Sequence, residues 1–171
     1  MKITVLSDGA WGTALALVLA GNNHDVTMWG PFPDYIEEMK KSRFNSRFLP
    51  GVKLHEKLKF EADMAKAAAD SEVLLLATPS QYLRSVLNQL KNIFNPAKQL
   101  IVNVAKGIEV NTWLRMSEVV SSILGPCRYV VLSGPSHAEE VAQEIPTACL
   151  AASEDQALAE MVQEKAPRSK S

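Results

Sequence analysis

Gly9 and Gly12 lie between an apolar run, Lys2-Ile3-Thr4-Val5-Leu6, and a helix-like run, Thr13-Ala14-Leu15-Ala16-Leu17-Val18-Leu19-Ala20. Strand, glycine turn and helix in that order build a corner suited to binding a pyrophosphate. At Gly9 the absent Cβ lets backbone approach a phosphate closely. At Gly12 it lets the helix pack tightly on the strand, and the helix N-terminus offers free N–H groups and a partial positive charge. Ser7 stands where the first glycine of G-x-G-x-x-G belongs. Backbone strain there is expected to cost about 1 kcal/mol relative to glycine. Asp8 sits inside the turn, where an inward carboxylate would repel phosphate, so it is expected to face away or cap locally.

Further chemistry belongs at the carboxyl ends of the strands, where open α/β sheets bind ligands. Lys106, followed by Gly107, is the cation at these ends. Two readings stand for it: neutralising or hydrogen-bonding a substrate, or a solvated surface lysine. Gly134-Pro135-Ser136 leads into a helix, so Ser136 is read as an N-cap or as a ligand contact. The acid that usually takes the ribose hydroxyls lies about twenty residues beyond the glycines. Trp29-Gly30-Pro31-Phe32 occupies that place with neither an acid nor an arginine, leaving NAD and NADP undecided. Phe32 either packs on adenine or covers the core edge. His24 and His55 read as surface residues. His137 adjoins the strand ends without an assignable partner, and Cys127 and Cys149 lack metal-ligand spacing and read as buried reduced thiols.

The elements that must position these residues alternate between strand and helix. Strands are expected at 24–30, 72–77, 99–104, 129–133 and 147–152, each an apolar run. Helices are expected after Asp34, read as an N-cap for Tyr35, Ile36 and Met39, and at 63–69, 81–94, 114–124, 137–143 and 154–164. Residues 43–52 read as a connection. The pattern predicts a doubly wound parallel sheet, a Rossmann-like α/β domain over residues 1–164, with 165–171 a disordered polar tail.

Composition narrows the function classes. A net charge of -1 gives no electrostatic footprint for nucleic acid or an anionic membrane. With 47% hydrophobic and 22% charged residues, the chain can build one ordinary globular core. No apolar stretch reaches membrane-spanning length and the chain opens directly on a strand, so a cytoplasmic location is expected.

Several motifs converge on one family. Gly9-Ala10-Trp11-Gly12-Thr13-Ala14-Leu15-Ala16, Val26-Thr27-Met28-Trp29-Gly30, Arg43-Phe44-Asn45, Phe48-Leu49-Pro50-Gly51, Ala105-Lys106-Gly107-Ile108-Glu109, Leu132 to Val141 and Ile145-Pro146-Thr147-Ala148 keep its order and spacing. The chain resembles the N-terminal half of bacterial NAD(P)-dependent glycerol-3-phosphate dehydrogenase. The resemblance implies that Ala10, Trp11 and Ala138 contact NAD or NADP along with Gly9, Gly12 and Pro31. It implies that Lys106 lies between cofactor and substrate, and that Gly134 and Ser136 help hold glycerol 3-phosphate. Family members often carry serine at the position of Ala10 and arginine or histidine at that of Pro31, so these departures bear on phosphate hydrogen bonding and NADP preference.

The resemblance also implies a following helical domain with the lysine that acts as general acid/base, and no residue here matches it. The chain is therefore expected to be a truncated dehydrogenase, inactive alone, that in full converts dihydroxyacetone phosphate to glycerol 3-phosphate for phospholipid synthesis. The alternative is a bare dinucleotide-binding module without catalysis. Apolar surface meant for the helical domain is expected to be exposed and to promote self-association.

Overall fold

The structure, a computed structural model, describes residues 1–165. Its first half runs β1 (Lys2–Leu6), α1 (Ala10–Gly21), β2 (Asp25–Trp29), α2 (Pro33–Ser42), β3 (Phe44–Asn45), β4 (Leu49–Lys53), β5 (Lys59–Glu61) and α3 (Met64–Ala68). Next come β6 (Val73–Leu76), α4 (Ser80–Leu90), β7 (Leu100–Asn103) and α5 (Met116–Leu124). Last are β8 (Tyr129–Ser133), α6 (Ala138–Ala142), β9 (Leu150–Ala152) and α7 (Gln156–Lys165).

Seven strands form one sheet in the order β5-β2-β1-β6-β7-β8-β9. The order reverses beside β1: β2 and β5 extend to one side, β6 onward to the other. All neighbouring pairs are parallel except the last, β8 with β9. This is the expected doubly wound sheet, closed at one edge by an antiparallel strand. The apolar runs explain its centre. Val73–Leu76 and Leu100–Asn103 are buried at every residue, as strands covered on both faces must be.

Two layers of helix supply that cover. Leu15, Ala16 and Leu19 of α1, Tyr35 and Met39 of α2, and Met161 and Val162 of α7 pack on one face. Leu83, Val86, Leu87 and Leu90 of α4 and Val119, Val120 and Ile123 of α5 pack with α3 on the other. Full burial of a Leu, Ile, Val or Met side chain is worth about 1.5–3 kcal/mol, so the sheet centre is where stability concentrates.

Several local expectations are corrected. Asp34 does not cap α2: Phe32 is the N-cap residue without a side-chain hydrogen bond, Pro33 opens the helix, and Asp34 lies in its first turn. Residues 43–52 are not a plain connection, because β3 and β4 pair antiparallel there. β5 extends the parallel sheet beyond β2 with only three residues. Residues 147–149 fall outside β9, which is antiparallel rather than parallel. β8 is fully buried only at Val130, since a short neighbour on its outer side covers it incompletely. Lys165 belongs to α7 rather than to a tail, and residues 166–171 lie outside the described residues.

Candidate functional site

The glycine corner forms as its sequence demands. α1 begins at Ala10, with Gly9 as its N-cap residue at φ -72° and ψ 172°. That is extended backbone open to any residue, so glycine is needed here for space rather than for conformation. A Cβ on Gly9 would lie 3.3 Å from Ser7 Oγ. At Gly12 the crowding is worse: a Cβ would lie 2.9 Å from Ser7 Cβ and 3.2 Å from the Ser7 carbonyl oxygen.

The expected strain at Ser7 is absent. Ser7 is not among the residues with positive φ, and it is buried. Its hydroxyl instead accepts a hydrogen bond from the Gly9 N–H at 3.0 Å, which pins the turn. Gly9 provides no side-chain cap and no acid lies in the first turn of α1. The Ala10, Trp11 and Gly12 N–H groups therefore have no intrahelical acceptor, and the first helical bond is Thr13 N–H to Gly9 O at 2.9 Å. Trp11 Nε1 is also buried without a partner. Unpaired donors at a helix start, with no Cβ in the way, fit a pyrophosphate.

Asn45 braces this corner, a role the sequence reading missed. It is fully buried, and its Nδ2 donates to the Asp8 carbonyl at 2.8 Å and to Thr13 Oγ1 at 2.7 Å. The Tyr35 hydroxyl and the Phe48 N–H donate to its Oδ1. One asparagine thus ties α2 and the β3–β4 hairpin to the turn. Its sequence signal was faint, a lone amide in a segment read as a connection.

Asp8 turns its carboxyl toward the end of β2. A Cβ on Gly30 would lie 2.8 Å from Asp8 Oδ2, and that oxygen is buried without a hydrogen-bond partner. Burial pushes the carboxyl above the usual aspartate range, against the opposing pull of its own backbone N–H and of Arg47.

A second group of expected residues meets across the strand ends. Lys106 Nζ donates to the Gly134 carbonyl at 2.9 Å and lies 5.9 Å from the Trp11 ring centre. Ser136 Oγ donates to the same carbonyl at 3.4 Å. Lys106, Trp11, Gly134 and Ser136 therefore share one place although three separate segments supply them. Ser136 is not the N-cap of α6; His137 holds that position, without a side-chain cap bond. Gly134 is needed for close packing, because a Cβ there would lie 2.2 Å from the Ala148 carbonyl oxygen. Gly107 has φ +114°, a conformation that side chains rarely adopt, and so sets the turn after Lys106.

The other residues are more peripheral. Pro31 is exposed at the end of β2, and Phe32 beside it is 60% exposed, so it does not cover the core edge. Ala138 opens α6, which packs against α1. His24 and His55 are half-buried rather than fully on the surface. Cys149 is exposed, contrary to the expectation of a buried thiol, whereas Cys127 is half-buried and its thiol is pushed up by burial. Among the described residues no helix is long and apolar enough to cross a membrane.

A parallel sheet whose strand order reverses at β1, with an unpaired helix N-terminus at that switch point, defines a Rossmann-type dinucleotide-binding domain. Comparison with known proteins narrows the class. The family of the NAD-dependent glycerol-3-phosphate dehydrogenase N-terminus matches residues 2–159, and the chain belongs to it. It is 47% identical over 165 residues to the glycerol-3-phosphate dehydrogenase [NAD(P)+] of Geobacter metallireducens, covering 95% of this chain and 49% of that protein. Against the enzyme of the same name from Syntrophomonas wolfei, identity is 42% over 166 residues, with 95% and 48% covered. The crystal structure of glycerol-3-phosphate dehydrogenase from Coxiella burnetii superposes with a TM-score of 0.90 at 34% identity, over 96% of this chain and 50% of that one. The chain spans about half the length of the curated relatives it matches.

Proposed function

We propose that residues 1–164 form the cofactor-binding half of a glycerol-3-phosphate dehydrogenase, working in the cytoplasm on dihydroxyacetone phosphate and glycerol 3-phosphate in phospholipid synthesis. The observation that carries this reading is the α1 corner, where unpaired N–H groups meet glycines that a side chain cannot replace without crowding. Gly9, Ala10, Trp11 and Gly12 hold the pyrophosphate of NAD or NADP on backbone donors and the positive end of α1. Pro31 borders the adenosine end, and Lys106 and Ala138 border the nicotinamide end. When bound, the cofactor supplies the hydride.

The chain's own groups then position substrate. Lys106, whose ammonium donates to the uncharged Gly134 carbonyl, presents a cation to the substrate phosphate or carbonyl oxygen. Gly134 and Ser136 offer a carbonyl and a hydroxyl beside it, so a polyol phosphate finds a donor, an acceptor and a charge within one corner. The lysine that the resemblance implies as general acid matches none of these groups. Without that general acid turnover falls by about 10²–10⁴-fold, so these residues are expected to bind cofactor with little oxidation of it.

Phe48, Trp113, Ile145 and Leu150 are each exposed, and such apolar side chains are expected to promote self-association. A bare dinucleotide-binding module is the second reading, favoured by the same corner if substrate does not bind.

The test is a fluorescence titration with NADH and NADPH, followed by dihydroxyacetone phosphate in the same cell. Saturable binding without oxidation is expected. Oxidation of the cofactor would overturn the assignment of an inactive half, and absence of binding would overturn the cofactor site.

A further inference from the structure

Asp8 and Gly30 stand one beyond the other at the carboxyl ends of neighbouring parallel strands, where Leu6 of β1 pairs with Trp29 of β2. The two residues are fitted together. A Cβ on Gly30 would lie 2.8 Å from Asp8 Oδ2, 2.9 Å from Asp8 Cβ and 2.8 Å from Ile36 Cδ1, so any side chain at 30 would expel the carboxylate. The backbone of Asp8 is clamped by Asn45, whose Nδ2 donates to its carbonyl at 2.8 Å. The carboxyl is thus held in place, yet its Oδ2 is buried with no donor. An unsatisfied buried carboxylate oxygen is costly, and among the described residues Oδ2 has no hydrogen-bond partner to offset that cost.

The end of β2 is where dinucleotide sites of this architecture usually carry the acid that accepts the ribose hydroxyls. Here β2 ends in Trp29-Gly30-Pro31-Phe32, which has no acid. We propose that Asp8 supplies this carboxylate from the first turn, accepting the adenosine ribose hydroxyl and favouring NAD over NADP. The proposal rests on the cofactor-binding reading above and adds the choice between the two cofactors. A ribose hydroxyl gives the unpaired oxygen a donor. A 2′-phosphate in the same place brings two like charges together beside a half-buried carboxylate.

Arg47 is the competing group. It draws the Asp8 carboxyl down electrostatically, and a guanidinium within reach of the ribose would favour a 2′-phosphate. Its guanidinium is already engaged, stacked 4.0 Å from the Tyr35 ring centre and 3.9 Å from Glu38. Of the two, it is the Asp8 Oδ2 that has no hydrogen-bond partner among the described residues.

The experiment measures dissociation constants for NADH and NADPH by nicotinamide fluorescence on the 171-residue chain, for wild type, Asp8→Asn and Asp8→Ala. Melting curves accompany each variant. Wild type is expected to bind NADH about tenfold or more tightly than NADPH, the size of one charge-assisted hydrogen bond. Both variants should lose that preference while melting no lower than wild type. A wild-type ratio near one, or one favouring NADPH, overturns the proposal without any variant having to fold. An unchanged ratio in folded variants overturns it as well. Absence of binding by either cofactor is a separate result: it removes the cofactor-binding reading, and the assignment of Asp8 falls with it.

Discussion

Replacing Gly9 by valine separates binding from folding at the glycine corner. Gly9 has φ -72° and ψ 172°, which valine adopts without strain. Its Cβ would lie 3.3 Å from Ser7 Oγ, tight enough to shift a hydroxyl by a few tenths of an ångström and no more. The fold should therefore survive with a stability loss of about 1 kcal/mol. The two added methyl groups would stand over the unpaired N–H groups of the first turn of α1. A charge-assisted hydrogen bond is worth about 1.5–3 kcal/mol, so losing one or two of them removes about 3 kcal/mol. That corresponds to roughly a hundredfold weaker binding of NADH. Titration by nicotinamide fluorescence reads the affinity, and a thermal melt of the same sample reads the fold. Unchanged affinity in a folded Gly9→Val protein would refute the assignment of the pyrophosphate to this corner.

Other perturbations have distinct signatures. Gly12→Ala puts a Cβ 2.9 Å from Ser7 Cβ and 3.2 Å from a backbone oxygen that cannot rotate away, so α1 must move off β1. Overpacking of this kind costs about 1–3 kcal/mol and outruns the helix propensity gained, so the melting temperature should fall by several degrees. Gly134→Ala meets the Ala148 carbonyl oxygen at 2.2 Å. It should shift the corner that holds Lys106 and Ser136, lowering stability by about 1–3 kcal/mol in a denaturant melt. Glu109 is buried, accepts two bonds from Arg84 at 2.7 Å each, and has its carboxyl held down at about 2. Because that value lies below the ordinary one near 4.5, the contribution is present above pH 4.5 and disappears as pH falls toward 2. Denaturant melts between pH 6 and about pH 3 should therefore show a loss that is smaller in Glu109→Gln.

Much of this fold was legible because strong periodicity survives tertiary context. The runs at 2–6, 72–77 and 99–104 read as strands, the second of them as buried, and they form β1, β6 and β7, buried except at Lys2. Their hydrophobic runs leave few other places for them to go. β3, β4 and β5 were hidden because they lie at the margins, short and mostly exposed or half-buried, with Pro50 and Gly51 inside β4. The orientation of β9 has no local signal at all, since the same three residues pair equally well in either direction.

The site was legible by a similar division. Gly9, Gly12 and Lys106 stand out by residue type, and the fold brings Lys106 to Trp11, Gly134 and Ser136. Asn45 and the pairing of Asp8 with Gly30 were hidden, because each gains its meaning from a neighbour that the chain reaches only by folding. Ser7 looked like a strained substitute for glycine. It proved to be a brace, since its hydroxyl accepts the Gly9 N–H.

The central claim is that this domain binds a nicotinamide dinucleotide across the carboxyl ends of β1 and β2. Amide chemical shifts of the isotopically labelled chain, followed through an NADH titration, test it most directly. Saturable shifts are expected at Asp8 to Gly12, at Gly30 and Phe32, and at Lys106 and Ala138, with the outer surfaces of α4 and α5 unmoved. Shifts confined to any other surface, or none at saturating NADH, would contradict the account.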